Sequence, residues 1–460
     1  MRILSVTLAA AAVLACAAPS RGAPLSAQQQ ADIDASVGEW LAKTGAPSVS
    51  IAVVSGGELA YAKAYGSARL SPKAPATTTT RYAIDSISKE FTAAAVLKLQ
   101  EEGKLSLDDD LARYLPDLAK PQGVTIRQAL SHTAGFRDYW PQDFVTAEMT
   151  RPASIKAIID EWGGRPLDFA PGSDWQYSNT GFVIAGAIVE KVSGQPLISF
   201  LKANVFEPLH MAGVVDADQQ ALPAGDAGAY TRWGDGPVRP AQKEAPGWLF
   251  GAAELGMAPS DLARWDVSLM ARSLLAQASY DAYYTPVKLK DGKDSHYSLG
   301  LNVRDDHGRL QLSHDGGGSG FLSSNIMWPG QKTAVIAFTN NDWASPDDVA
   351  ARVAFVVLPP TEVEARARAV FRGFQAGTLD RSLFTDNGNA YLSASVLADQ
   401  KAGLAAYGPV RLFTLESEFT RGGFKGRIWK IVTAKAVLSA VERGYPDGKL
   451  EQFMISRSVE

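Results

Sequence analysis

Tyr82-Ala83-Ile84-Asp85-Ser86-Ile87-Ser88-Lys89 runs without a break into the apolar stretch Phe91-Thr92-Ala93-Ala94-Ala95-Val96-Leu97-Lys98-Leu99. The first residues read as the end of a strand and the rest as a helix buried on most sides, so Ser86 lies near a helix N-terminus. Residues three apart share a helix face, which brings the Lys89 ammonium within reach of the Ser86 hydroxyl in apolar surroundings. A serine hydroxyl is a weak nucleophile until a base takes its proton, and a desolvated lysine, its pKa lowered, suits that task. Backbone N–H groups at the helix start can stabilise the oxyanion formed when the serine attacks a carbonyl. Standing alone, Ser-x-x-Lys reads as a serine cap with a solvated first-turn lysine, so its meaning rests on partners further along the chain.

Two segments qualify as partners. Trp175-Gln176-Tyr177-Ser178-Asn179-Thr180-Gly181 follows the loop signal Pro171-Gly172-Ser173-Asp174 and precedes the apolar helix Phe182 to Val192. A tyrosine there can relay a proton and an asparagine can fix a substrate carbonyl or amide, although Asn179 also reads as a helix cap and Tyr177 as packing. The third segment is Leu310-Gln311-Leu312-Ser313-His314-Asp315-Gly316-Gly317-Gly318-Ser319-Gly320-Phe321, between an alternating strand at 297–303 and a hairpin at 326–338. Strand glycines let a substrate backbone lie close and offer an oxyanion donor, or else form a flexible edge loop.

The 460 residues are 46% hydrophobic and 20% charged, which leaves room for a large core and about two or three domains. Formal net charge is −4; loss of a leader carrying the two cations Arg2 and Arg21 takes it to −6, which disfavours nucleic acid as a partner. Residues 1–23 read as a secretory signal: a basic start at Arg2, an apolar alanine-rich run from Ile3 to Ala18, then small residues. Cys16, the only cysteine, is read as part of that core; its context Val13-Leu14-Ala15-Cys16 also permits a lipid anchor. No later stretch approaches the roughly 18 apolar residues that span a bilayer, so the mature protein is expected to be secreted or periplasmic, soluble or tethered at one end.

Elsewhere, residues 28–43 read as an amphipathic helix, and 47–65 as an antiparallel hairpin turning at Gly56-Gly57. Thr125 reads as a helix cap, Gly135 as its stop, and His132 as a structural residue hydrogen-bonded locally. Trp248, Phe250, Trp140 and Trp175 read as core aromatics, the first two with an apolar-pocket wall as the alternative. Past Pro359-Pro360 the composition shifts to a charged amphipathic helix, 361–374, and then four strands at 412–419, 426–432, 436–441 and 450–455. That element order is similar to the small cone of the nuclear transport factor (cystatin-like) class. It would shield the cleft, mediate dimerisation or bind an envelope component.

Read together and in order, Ser86-Ile87-Ser88-Lys89, Tyr177-Ser178-Asn179 and His314-Asp315-Gly316 resemble the class C β-lactamase and penicillin-recognising serine hydrolase family, which includes D-alanyl-D-alanine peptidases, D-aminopeptidases and carboxylesterases. The resemblance covers about residues 28–358, with family-like phrases at 125–135 and 259–265. It implies an α/β sandwich: an antiparallel sheet flanked by helices, made from the early hairpin and the strands after 295, with a mainly helical region between; the small α+β domain, 359–460, lies outside it. It also implies roles. Ser86 would be acylated, Lys89 would be its base or proton relay, and Tyr177 would protonate the leaving group and later activate water. Asn179 would hold substrate and Lys89, and the N–H groups of Ser86 and Gly317 would form the oxyanion hole. His314 and Gly316 complete the substrate-binding set, and no metal or organic cofactor is implied.

His314 stands where the β-lactamases carry lysine, and Asp315 where they carry a hydroxyl residue. A mostly neutral histidine beside an acid attracts carboxylate-bearing substrates weakly. Ester or small amide hydrolysis therefore ranks ahead of β-lactam or D-alanyl-D-alanine hydrolysis, and a non-catalytic binding protein ranks third. Asp85, where relatives often carry a small residue, has no assigned effect at this stage.

Overall fold

The computed structural model describes residues 24–116, 123–142 and 144–458; the expected signal segment with Cys16 lies outside them. Helix α1 (Ala27–Thr44) is opened by a reciprocal cap between Ser26 and Gln29 and stopped by Gly45 in the left-handed conformation. The hairpin of β1 (Ser48–Ser55) and β2 (Glu58–Leu70) follows, with β3 (Lys73–Pro75) beside it. The middle of the chain is mostly helical, including α2 (Ser88–Glu101), α3 (Asn179–Ser193) and α4 (Pro259–Ala271). Strands β4 (Asn302–Asp306), β5 (Arg309–Gly318), β6 (Phe321–Trp328) and β7 (Thr333–Thr339) then lead into α5 (Asp347–Val357).

All seven strands form one antiparallel sheet in the order β3-β2-β1-β7-β6-β5-β4. Both of its faces are covered, and the two-residue period of the strands divides the core in two. Val49, Ile51, Val53, Val335 and Ala337 pack with Ile33, Val37 and Val353 of α1 and α5. Ala52, Val54, Ile336 and Phe338 face the other way, into the cluster holding Phe91, Val96 and Phe182 of α2 and α3. Among the described residues no single helix is long and apolar enough to cross a membrane.

Three expectations need correction. The strand expected at 297–303 starts only at Asn302, because the chain first turns at Gly300 (φ 80°). A side chain at Gly300 would meet the Lys89 backbone, its Cβ 2.9 Å from the carbonyl oxygen, so this turn presses directly on α2. The helix capped by Thr125 ends at Leu130 rather than at Gly135. And His132 does not bond locally; its partner is 46 residues away, as described below.

Residues after Pro360 build a second unit with its own core, Phe371, Phe374, Phe413, Trp429 and Leu438 among others. Helix α6 (Glu362–Ala376), capped reciprocally by Thr361 and Glu364, packs with a four-stranded antiparallel sheet, β8 (Val410–Arg421), β9 (Phe424–Thr433), β10 (Val437–Gly444) and β11 (Leu450–Arg457). Two helices that the sequence pattern did not bring out, Asp386–Tyr391 and Ala394–Ala405, precede that sheet. The unit is joined to the first by Arg411, forked onto Glu39 of α1, and by Arg309 of β5, 3.6 Å from Glu364. Among the described residues, those lining the cleft described next lie between Asp85 and Asp342, and none belongs to this unit.

Candidate active site

Ser86 occupies a 3-10 turn, Asp85–Ile87, wedged between the short strand Tyr82–Ala83 and α2. That strand pairs with Leu255–Met257, and Ser88 Oγ accepts from the Leu255 N–H, so the turn is fixed from both sides. Lys89, one turn on, is completely buried. Its Nζ lies 2.9 Å from Ser86 Oγ and 2.9 Å from the Ala252 carbonyl oxygen. Burial pulls the Lys89 pKa down to about 7, against the opposing pull of Asp138, Asp85 and Asp315. A lysine in this state can hold or release a proton at neutral pH, which is what activation of a serine requires.

Tyr177 reaches the same point from α3's leading loop. Desolvation drives the pKa of its hydroxyl upward, against the smaller lowering influence of the Ser86 hydroxyl beside it. Lys89 Nζ lies 4.9 Å from the Tyr177 ring centroid, and the His132 ring stacks 4.2 Å from it. His132 Nδ1 accepts from the Ser178 N–H at 3.1 Å, and burial keeps the imidazole neutral. Asn179 is the first residue of α3. Its backbone N–H and its Nδ2 donate to the two oxygens of Asp138 at 3.2 and 3.1 Å, so its amide is aimed by Asp138, while Lys89 turns to Ala252 instead.

The third segment is strand β5. β4 pairs with it only as far as Ser313, so beyond that point the edge of β5 faces the cleft, where Asp315, Gly316, Gly317 and Gly318 form one wall. Gly316 has no room for a side chain: a Cβ there would overlap the Ile84 carbonyl and Ser323 Oγ. This close approach brings the glycine strand against the turn that carries Ser86. His314 departs from the expected role. Its side chain is buried, with Nε2 2.8 Å from Tyr297 Oη and Nδ1 2.6 Å from the Asp315 carbonyl, and it does not line the cleft. Burial, with Lys89 nearby, lowers its pKa to about 4, so it is neutral. The exposed Asp315 takes the cleft position instead.

The cleft has a volume of about 1070 Å³ and collects Ser86, Tyr177, Asn179, Gly316 and Gly317 in one wall system. Aspartates 85, 138, 315 and 342 line it, against Arg137 and Arg165, whose charges are engaged by Asp168 and Glu161. Trp248 and Phe250 are core, as expected, and Leu249 between them reaches the cleft. Trp140 is not core but half-buried on the cleft wall, and Trp175 is 36% exposed, packed edge-on against His132. Asp138, His132 and the Ala252 carbonyl carry no local signal, because each acts through a partner at least 41 residues away. Among the described residues no group of His, Cys, Asp or Glu is placed to hold a metal ion.

A family profile described as Beta-lactamase matches residues 32–358, the whole of the sheet and cleft. The chain belongs to the Beta-lactamase family. Within it, penicillin-binding protein 4* of Bacillus subtilis is 29% identical over 308 residues, 64% of this chain and 68% of that protein. The D-aminopeptidase of Gluconobacter oxydans is 27% identical over 321 residues, 68% of this chain and 59% of that protein, so the likeness spans well under two thirds of the latter. Among solved structures, a D-stereospecific amidohydrolase from Streptomyces sp. superposes with a TM-score of 0.59 at 25% identity, over 69% of this chain and 96% of that one. The match spans the seven-stranded sheet, the buried α2 and the residues that line the cleft; the unit after Pro360 lies outside the matched residues.

Proposed function

We propose that this chain is a secreted serine hydrolase that opens ester and small amide bonds through an acyl-enzyme on Ser86. The observation that carries the reading is the 2.9 Å approach of a fully buried, readily deprotonated Lys89 Nζ to Ser86 Oγ. Neutral Lys89 takes the Ser86 proton as Oγ attacks the carbonyl carbon, and the N–H groups of Ser86 and Gly317 receive the oxyanion. The proton passes through Tyr177 to the leaving amine or alcohol as its bond to carbon breaks. Water then attacks the acyl-enzyme by the reverse relay, freeing the acid and restoring Ser86. Asn179, aimed by Asp138, holds the substrate's amide or carbonyl.

The likeness to a D-aminopeptidase and a D-stereospecific amidohydrolase supports amides among the substrates. A neutral His314 turned inward and an Asp315 on the cleft wall disfavour a substrate carboxylate, so β-lactams and D-alanyl-D-alanine peptides rank second. Residues 1–23, read as a secretory leader, support a reaction outside the cytoplasm.

The test is a turnover panel of 4-nitrophenyl acetate, D-alanine 4-nitroanilide, a D-alanyl-D-alanine peptide and a chromogenic cephalosporin, on wild type and Ser86→Ala. Ester or nitroanilide turnover lost in the variant is the expected result. Turnover confined to the last two probes would move the chain to cell-wall or β-lactam chemistry. Absence of any turnover above Ser86→Ala would leave a binding protein.

A further inference from the structure

Asp85 precedes the nucleophile and has no part in the relay above. It is 3% exposed, sits at φ 47°, and its Oδ2 is buried with no hydrogen-bond partner among the described residues, yet it lines the cleft. Its other oxygen, Oδ1, stands 2.5 Å from where a Cβ on Gly318 would be, so only glycine at 318 leaves the carboxyl its place. The left-handed conformation at 85 is one that Asp and Asn tolerate and most residues do not. An unpaired carboxyl held this way against the strand edge is a binding group without its partner in place.

The direction of the substrate follows from the two ends of the glycine strand. Tyr177, which serves the leaving group, lies at the His314 end, the two rings 6.3 Å apart. With a carbonyl oxygen between the N–H groups of Ser86 and Gly317, the leaving group points to that end and the acyl substituent runs towards Gly318. Asp85 stands there. Next to it, Glu244 accepts from Ser319 Oγ at 2.5 Å, which leaves that side of the cleft rich in acids. Burial and the neighbouring Glu244 raise the Asp85 pKa to about 8, while Lys243 and Lys89 pull it down. Lys243 is turned away, onto the Ala217 carbonyl.

We propose that Asp85 is a specificity-determining residue that receives an ammonium group on the acyl half of the substrate, so that the enzyme selects α-amino acyl esters and amides over N-blocked ones. This rests on the serine hydrolase reading of the same site. In the free enzyme the carboxyl holds a proton; a bound ammonium supplies the missing positive charge, the proton leaves to water, and the carboxylate gains a charge-assisted hydrogen bond.

The experiment compares kcat/KM for D-alanine 4-nitroanilide and its N-acetyl derivative on the full chain, wild type and Asp85→Asn, which keeps shape and suits the left-handed backbone. Wild type is expected to prefer the free amine by about tenfold or more, and Asp85→Asn to lose that preference through a higher KM for the free amine. Equal rates for both substrates in wild type, or a preference undiminished in the variant, overturn the assignment. If Asp85→Asn fails to fold, Asp85→Gly, also at ease at positive φ, takes its place. Should wild type turn over nothing above Ser86→Ala, 4-nitrophenyl acetate included, the hydrolase reading fails on its own account. Calorimetric titration with D-alaninamide and its N-acetyl derivative then decides Asp85: selective binding lost in Asp85→Asn supports it, and equal or absent binding rejects it.

Discussion

The Ala252 carbonyl accepts a hydrogen bond from Lys89 Nζ at 2.9 Å, and no carboxylate takes that place. A carboxylate so close would lock the ammonium on and raise its pKa. A neutral carbonyl orients the amine and leaves its remaining valence towards Ser86.

In the proposed mechanism Lys89 accepts the Ser86 proton only when neutral, so with its pKa at about 7 activity is expected to rise with pH through about 7 and then level off. Below that point kcat/KM should fall about tenfold per pH unit. Lys89→Arg, which cannot lose its proton, should cost on the order of a thousandfold or more in kcat. A pH–rate profile checks this; an acid limb centred below pH 5, or an active arginine variant, would exclude Lys89 as the base.

Asp138 offers a separate lever on the same limb. It accepts from the backbone and side-chain nitrogens of Asn179 and is the largest charge raising the Lys89 pKa. Asp138→Asn keeps the shape and removes the charge, so the acid limb should move to lower pH. Asp138→Ala should do the same and also raise KM about tenfold, because Asn179 loses both acceptors. A purely structural Asp138 would change stability and leave the limb where it is.

Gly316→Ala tests the close approach of β5 to the nucleophile turn. The added methyl group would overlap the Ile84 backbone carbonyl, which cannot swing aside as a side chain can. The strand and the turn must separate, widening the oxyanion hole; about 1–3 kcal/mol of stability should be lost, by denaturant titration, together with most of kcat. A fully active, fully stable variant would show that the approach is not needed.

The Ser86–Lys89 contact was legible because it obeys a local rule, the three-residue spacing of one helical turn. Tyr177 and Asn179 were legible as polar residues at the mouth of an apolar helix. His314 was misplaced for a reason equally physical. On β5, Leu312, His314 and Gly316 point inward and Asp315 and Gly317 outward, and a motif alone does not say which parity faces the cleft. Asp138 and His132 act across 41 and 46 residues, which no local pattern records. In the last unit, Ala394–Ala405 buries only Leu404 among its residues, so the helical period that would have revealed it is absent.

Directly after Lys89, Glu90 enters a buried carboxyl pair with Asp266 of α4. Asn325 Nδ2 donates to Asp266 at 3.0 Å and lies 3.4 Å from Glu90 Oε1, while Trp265 Nε1 donates to Glu90 at 2.7 Å. Asp266 Oδ2 and Asn325 Oδ1 are both buried with no donor among the described residues, a deficit that a proton on Asp266 can relieve. Burial raises both acids, to about 8 for Glu90, with Asp266 adding to it, and to about 7 for Asp266. A carboxyl whose folded pKa exceeds its unfolded one contributes stability that is complete only below the unfolded value, about 4, and is lost as pH rises from there to the folded value. Wild type should therefore lose stability between about pH 5 and 8, by about 1.4 kcal/mol per pH unit for each proton released in that interval. Asp266→Asn carries no such proton. Its denaturation midpoint should fall less steeply over the same range, so that it stands relatively better at pH 8 than at pH 5. Parallel pH dependences of the two proteins would mean that Asp266 is ionised throughout.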